Sequence, residues 1–128
     1  MSHVEPFVFT DAPAARAEGR IAQIAAGLAS TDALFQALYD ALELPGYFGF
    51  TWGALSDCLR DFHWLDQRRI VLQHADLPAI PTPDLRTYLG VLAEAQATWK
   101  PAEEHWLIVV FPTAVRDEVA RLTAPTAS

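Results

Sequence analysis

The stretch that decides the fold of this chain is Leu44-Pro45-Gly46-Tyr47-Phe48-Gly49-Phe50-Thr51-Trp52-Gly53-Ala54-Leu55-Ser56-Asp57-Cys58-Leu59-Arg60-Asp61-Phe62. Its first part is a loop of turn residues and aromatics, and its second part has the i, i+3, i+4, i+7 apolar spacing of a helix that buries one face. That spacing falls on Leu55, Cys58, Leu59 and Phe62. The stretch therefore predicts an aromatic loop that leads into a short helix opening near Thr51.

The opposite face of the predicted helix is polar and carries Gly53, Ser56, Asp57, Arg60 and Asp61. Carboxylates four residues apart project from one side of a helix, so Asp57 and Asp61 have the spacing of an acid/base pair or of half a metal site. The simpler interpretation is a solvated face whose negative charge Arg60 partly offsets. Both interpretations stay open at this point.

Four aromatic side chains lie just before this helix, at Tyr47, Phe48, Phe50 and Trp52. We expect Phe48 and Trp52 to pack in the core. An exposed Tyr47 or Phe50 beside Asp57 would instead form a protein interface, where aromatic anchors surround a desolvated charge. The loop therefore favours a binding function for the polar helix face.

The composition is that of a single acidic domain spanning residues 1–128. With 128 residues, 52% of them hydrophobic, the chain can bury a core without metal or disulfide staples. Nine Lys and Arg against sixteen Asp and Glu give a net charge of −7. This charge argues against a nucleic-acid binder, since phosphate contacts need a basic surface, and it suits a basic partner.

The sequence also predicts a compartment. The first residues have neither the positive start nor the apolar run of a signal peptide, and no apolar run reaches the length of a membrane span. The single cysteine, Cys58, cannot form an internal disulfide and fits a reducing environment. We therefore expect a cytoplasmic protein that has no membrane partner and is a monomer when free.

Strands alternate with amphipathic helices along the chain. Strands are predicted at residues 7–10, 20–25, 68–74 and 106–111, and the last, the most hydrophobic run, is the expected central strand. Apolar stripes predict three further helices, on Leu34, Phe35, Leu38 and Leu42, on Leu85, Tyr88, Leu89, Leu92 and Trp99, and on Val115, Val119 and Leu122. This order predicts an α/β fold with a small, mainly parallel sheet of three to four strands covered by helices.

Standard catalytic and metal-binding motifs are absent from the sequence: no P-loop, Gly-x-Gly-x-x-Gly, His-Glu-x-x-His or Cys-x-x-Cys occurs. Cys58 and His63 are the only local nucleophile and base, but five residues along a helix would point them in different directions. The histidines are expected at the surface or at strand ends, at His3, His63, His74 and His105. We therefore expect no cofactor, no metal site and no enzymatic activity.

The loop and helix are similar to a family signature, L-P-x-Y-[YF]-G-x-x-[WL]-x-A-L-x-D-C-L. The residues that fit it are Leu44, Pro45, Tyr47, Phe48, Gly49, Trp52, Ala54, Leu55, Asp57, Cys58 and Leu59. On these residues the chain resembles the barstar family, the intracellular inhibitors of secreted ribonucleases. The resemblance spans residues 20–111, so residues 1–19, with their predicted strand, form an N-terminal extension.

The resemblance implies a barstar-like fold and an inhibitor or immunity-type protein whose loop and helix fill the basic active-site cleft of a ribonuclease. Asp57 matches the family's central acid, which takes the position of a substrate phosphate, and Tyr47 matches the aromatic that stacks in the cleft. Glu94, on the polar side of a later helix, is matched by spacing to a second acid. The implied partner is a basic, extracellular-type ribonuclease in a one-to-one complex, with no nucleic acid bound.

The sequence departs from the family pattern at four positions. Gly53 stands where another acid is common, Phe50-Thr51 replaces a more polar pair, and Ser56 stands where Trp is common. Together these departures remove an acid and a contact aromatic. The target therefore need not be the ribonuclease of the family's prototype.

Two other functions stay open: an acidic interaction domain with a basic partner that is not a nuclease, and a small hydrolase that uses Asp57 and Asp61. A shallow acidic surface would favour the inhibitor, whereas carboxylates around an apolar pocket would favour the enzyme. The expected partner-binding residues are Tyr47, Phe48, Gly49, Phe50, Gly53, Ser56, Asp57, Arg60, Asp61 and Glu94.

Overall fold

Among the residues that the structure describes, four parallel strands form one sheet in the order β1-β4-β3-β2. The strands are β1 (Phe7–Phe9), β2 (Arg20–Ile24), β3 (Arg69–His74) and β4 (Trp106–Phe111). The structure is a computed structural model that describes residues 7–12, 19–46, 48–99 and 105–124. β3 and β4 lie in the middle of the sheet, as their continuous apolar runs predict, and the expected α/β class with a parallel sheet is confirmed.

Four α-helices and a short 3-10 turn complete the described fold. They are α1 (Thr31–Leu42), α2 (Trp52–Leu59), α3 (Thr82–Thr98), the 3-10 turn Thr113–Val115, and α4 (Arg116–Thr123). α1 begins where the sequence predicts, because the Ser30 side chain accepts a hydrogen bond from the Ala33 amide. None of the helices in the described ranges is long and apolar enough to cross a membrane.

The core lies between the helices and one face of the sheet. That face contributes alternate strand residues, among them Ile70 and Leu72 on β3 and Leu107, Val109 and Phe111 on β4. The helix stripes that meet them are largely those predicted, Leu34, Phe35, Leu38 and Leu42 on α1 and Leu85, Tyr88, Leu89 and Leu92 on α3. α2 packs on α3, and α1 packs beside β2. Burial of these stripes places α2 at the surface with only its polar side outward.

The first strand lies in the part of the chain that precedes the family resemblance. β1 pairs in parallel with β4, and the Thr10 amide extends the pairing by donating to the Phe111 carbonyl over 3.0 Å. The Asp11 carboxylate then accepts hydrogen bonds from the Thr113 hydroxyl at 2.6 Å and the Thr113 amide at 3.1 Å. These bonds hold the pKa of the Asp11 carboxyl below its usual value. The predicted extra strand is therefore present and is tied to the start of the last helical segment.

The ends of two predicted helices differ from the structure. α2 ends at Leu59 and Arg60 caps it, so Asp61 and Phe62 lie beyond the helix, although Phe62 is still fully buried. α3 ends at Thr98 and Trp99 caps it, so Trp99, which the predicted stripe includes, lies just beyond the helix. The end of α2 has no glycine to signal it. Phe62 instead adopts the left-handed conformation that turns the chain there, with φ of 53°.

Candidate functional site

The candidate site is the polar face of α2. The Thr51 side chain caps this helix by accepting a hydrogen bond from the Ala54 amide, and Leu55, Cys58 and Leu59 fix its inner face in the core. The outward positions are exposed at Gly53, Asp57 and Arg60 and half-buried at Ser56. Because the inner residues are fully buried, the direction in which the outer residues project is set by the fold.

Asp57 is the acid at the centre of this face. It is exposed, and no hydrogen bond or ion pair joins its carboxylate to another residue in the described part of the chain. An exposed carboxylate without an internal partner is free to pair with a cation on another molecule. Its position off the buried stripe predicts that the fold does not depend on its charge.

Asp61 does not share a helix face with Asp57, which corrects the predicted i, i+4 pair. Because α2 ends at Leu59, Asp61 lies in a turn and binds His63: its carboxylate accepts from the His63 amide at 3.2 Å and lies 2.8 Å from His63 Nδ1. Asp61 is therefore an exposed acid with a partner of its own, at the edge of the site.

A cleft of about 430 Å³ opens beside this turn, lined by Asp61, His63, Leu65, Asp66 and His105. His105 is buried, and its Nδ1 lies 3.0 Å from the Gln67 carbonyl. No group of three His, Cys, Asp or Glu side chains among the described residues is placed to hold a metal ion. The cleft thus offers no described ligand set for metal-assisted hydrolysis.

Cys58 is a core residue of α2 and not a nucleophile. Its side chain is buried, and the burial, followed by the nearby charges of Asp61 and Asp57, raises the pKa of the thiol. A thiol with a raised pKa is a poor nucleophile because the thiolate is the reactive form. His63, its candidate base, is engaged with Asp61.

The aromatic loop has an inner and an outer layer. Phe48 is 4% exposed and packs edge-on against Phe35 of α1 at 5.8 Å between ring centroids. Trp52 is half-buried and meets Phe35 at 4.7 Å and Tyr88 at 5.9 Å. The expected core positions of these two rings are confirmed. Phe48 therefore supports the loop from inside the core.

Phe50 forms the outer layer of the loop. It is 37% exposed, and its backbone adopts the left-handed conformation with φ of 55°. Its ring rests on Phe48 at 5.0 Å and on Tyr39 of α1 at 5.8 Å. Tyr47, the other predicted contact aromatic, lies outside the described residues.

Sequence reasoning missed Tyr39 as a member of this surface. Tyr39 is half-buried, and its ring stacks on Phe48 at 6.4 Å in addition to its contact with Phe50. The signal was present in the spacing, because Phe35 and Tyr39 are four residues apart on α1 and so lie on one face. α1 therefore supports the aromatic loop.

Open space surrounds two glycines of the site. A side-chain carbon added at Gly49 or at Gly53 would meet no other atom within 4 Å, and both positions are exposed. Glu94, the second predicted acid, is exposed on α3, the helix that packs on α2. The face thus has an exposed aromatic ring just before the start of α2 and an exposed acid further along the helix.

Comparison with known proteins concerns the same part of the chain. A family model described as Barstar (barnase inhibitor) matches residues 21–111, which is more than half of the chain. The match contains the aromatic loop, α2 and Glu94, and it leaves β1 and α4 outside. A search of curated proteins found no match.

Proposed function

Because the chain belongs to the barstar family, we propose that it inhibits a basic, extracellular-type ribonuclease by covering the active site of that enzyme in a one-to-one complex. Members of this family are inhibitors and not enzymes, and we propose the same for this chain. The observation that supports the proposal best is the exposed Asp57 carboxylate, without a partner in the described structure, on a rigidly anchored helix face.

In the proposed complex, Asp57 takes the position of a substrate phosphate among the cationic side chains of the ribonuclease. The inner face of α2 is buried in the core, so the helix that carries the Asp57 carboxylate is already ordered before binding. Little conformational entropy is then lost on binding, and more of the charge attraction appears as affinity. The net charge of −7 speeds the encounter with a basic enzyme by long-range attraction. We assign the surrounding contacts to Gly49, Phe50, Gly53, Ser56, Arg60 and Asp61, with Tyr47 and Glu94 as the flanking aromatic and second acid.

The departures from the family pattern bear on the choice of target. Gly53 leaves an open space where another acid is common, and Ser56 offers only a half-buried hydroxyl. One fewer charge and one fewer aromatic reduce the contacts available to a target shaped for the common pattern. We therefore propose a ribonuclease related to barnase that differs from it opposite these two positions.

The test is RNA cleavage by a panel of small basic ribonucleases that includes barnase, with and without one equivalent of this protein. Asp57→Ala is expected to weaken inhibition at least about 30-fold, because it leaves a cation of the enzyme buried without a partner. Asp117→Ala, an exposed acid on α4, is the matched control and is expected to inhibit like the wild type.

Thermal melting of the same variants separates recognition from folding. Asp57→Ala is expected to melt with the wild type, since its carboxylate is exposed and has no partner among the described residues. A loss of stability equal to the loss of inhibition would make Asp57 a structural residue. Failure of the wild type to inhibit any ribonuclease would overturn the proposal and favour a basic partner that is not a nuclease.

A further inference from the structure

Phe50 has a backbone conformation that does not suit an aromatic residue. Its φ of 55° lies in the left-handed region, which glycine and asparagine adopt far more readily than a bulky side chain. At the same time its ring is 37% exposed, and Phe50 and Val8 are the large apolar side chains exposed in the described ranges. The turn therefore does not account for an aromatic at this position, and contacts within the protein cover only part of its ring.

The exposed ring is nevertheless held in place. It lies 5.0 Å from Phe48, 5.8 Å from Tyr39 and 6.2 Å from Phe35, measured between ring centroids. Phe48 and Phe35 are themselves buried, so these contacts connect the ring to the core. A side chain that is fixed before binding loses little conformational entropy when it inserts into a partner.

The surroundings of the ring leave room for a partner to close over it. Gly49 precedes it and Gly53 follows it by three residues. A Cβ atom added at either glycine would have nothing within 4 Å apart from its neighbours in the chain and its own helix backbone. Asp57 lies one helical turn after Gly53 on the same face of α2, about 6 Å further along the axis. A partner that covers α2 from Asp57 back past its first residue therefore comes to the exposed ring of Phe50, which precedes the helix by two residues.

We propose that Phe50 is an apolar anchor that inserts into a recess of the target ribonuclease beside its basic cleft. The fit of the ring to this recess then determines, together with the charge pairing, which ribonucleases the protein inhibits. This inference rests on the proposed function, because the occupant of the surface is the ribonuclease that Asp57 engages. The anchor has the chemistry of an interface hot spot: a large, rigid, apolar side chain next to a desolvated charge.

The experiment compares inhibition constants for the wild type, Phe50→Asn, Phe50→Tyr, Val8→Thr and Asp57→Ala against the same ribonuclease panel that includes barnase. Phe50→Asn removes the ring but suits the left-handed backbone, so it is expected to fold and to inhibit about 10- to 100-fold more weakly. Phe50→Tyr keeps the ring but adds a hydroxyl to the apolar recess, so it is expected to lose less inhibition than Phe50→Asn. Val8→Thr alters the other exposed apolar side chain, on β1, and is expected to have no effect.

Salt concentration supplies an independent measurement. The loss caused by Phe50→Asn is expected to be the same at low and high salt, because apolar burial is not screened, whereas the loss caused by Asp57→Ala is expected to shrink as salt rises. All assays are run at a temperature at which circular dichroism shows every variant folded. Phe50→Gly, which also relieves the left-handed strain, serves as a second ring-free variant and is expected to behave like Phe50→Asn.

The outcomes separate the anchor from the function on which it rests. If Asp57→Ala loses inhibition while both ring-free variants keep it, the anchor is overturned and the ribonuclease inhibitor stands. If Phe50→Tyr is as weak as Phe50→Asn, the ring is not the anchor. If the wild type inhibits no ribonuclease, the proposed function fails and the anchor fails with it.

Discussion

The Nε2 atom of His74 and the hydroxyl of Tyr88 lie 2.6 Å apart inside the core, with both residues almost fully buried. Nδ1 of the same imidazole lies 3.0 Å from the Val110 carbonyl, which can only accept, so Nδ1 carries the proton and Tyr88 donates to Nε2. The ring also stacks on Phe111 at 4.1 Å. This arrangement satisfies a neutral histidine and leaves no place for a second proton.

The buried histidine predicts that the fold weakens in mild acid. Burial lowers the pKa of His74 from 6.5 to about 4, so the unfolded chain takes up a proton that the folded chain refuses between those values. Stability is therefore unaffected by this group above pH 6.5 and falls by about 3 kcal/mol as the pH drops to 4. Urea unfolding at pH 7, 5.5 and 4.5 measures this fall. His74→Gln, which cannot take up the proton, should lose that pH dependence, and a flat wild-type profile would contradict the prediction.

Removal of the Tyr88 hydroxyl tests the same contact from the other side. Tyr88→Phe keeps the ring contacts but leaves Nε2 of His74 buried without a donor, which is expected to cost about 1 to 3 kcal/mol of unfolding free energy at pH 7. Tyr39→Phe, at a half-buried tyrosine, is the matched control. It should change the unfolding free energy by less than about 0.5 kcal/mol, as surface substitutions usually do. Equal effects of the two variants would show that the buried hydrogen bond is not stabilising.

Gly53→Asp should improve both stability and inhibition. The position has open space around it and lies in the first turn of α2, which carries no acid. The substitution removes a glycine from the helix and adds a negative charge near the helix N-terminus. Together these two effects are expected to raise the unfolding free energy by about 0.5 to 1 kcal/mol. The added acid lies one turn from Asp57, so inhibition of ribonucleases with strongly basic clefts should tighten.

The control for this substitution is Gly90→Asp, which adds the same charge at an exposed and equally open position in the middle of α3. Melting temperatures and inhibition constants are measured for both variants. If Gly90→Asp tightens inhibition as much as Gly53→Asp, the effect comes from the net charge alone and not from the position of the acid on the polar face of α2.

Gly19→Ala should be among the most damaging single changes at a glycine. The backbone of Gly19 has φ of 121°, and an added side-chain carbon would lie 2.3 Å from the Arg69 carbonyl oxygen and 2.9 Å from the Arg69 side chain. Since β2 pairs with β3 immediately after this residue, relief of the overlap must separate the strands, at a cost of about 2 to 4 kcal/mol. Gly27→Ala, with φ of 81° but open space, should cost about 1 kcal/mol, and chemical denaturation distinguishes the two.

Much of the fold follows from spacing in the sequence. The apolar stripes of α1 and α3 and the run at residues 106–111 identify buried faces because burial leaves a periodic record. Other features leave no such record. Phe48 and Phe50 are the same residue type in the same loop, yet one is 4% and the other 37% exposed, and Phe50 adopts the left-handed backbone conformation. His74 looks like an ordinary strand end until α3 brings Tyr88 against it.

The site was predictable to a similar extent. Asp57 emerges from the helix pattern and from the family signature together, whereas Tyr39 enters the surface through tertiary contact with Phe50. Asp61 was placed on the wrong element because the end of α2 has no glycine or proline to reveal it. Periodicity therefore locates α2, but which other residues belong to the candidate site depends on contacts between segments that are distant in sequence.

The pairing of β1 with β4 also has a consequence for synthesis of the chain. The hydrogen bond between Thr113 and Asp11 joins residues 102 positions apart, and the first strand can enter the sheet only beside the last one. On the ribosome, residues 44–62 are therefore made long before a complete sheet exists to support them. β1 therefore stays unpaired during translation until β4 has left the exit tunnel. Completion of the sheet is thus a late step that depends on a nonlocal contact.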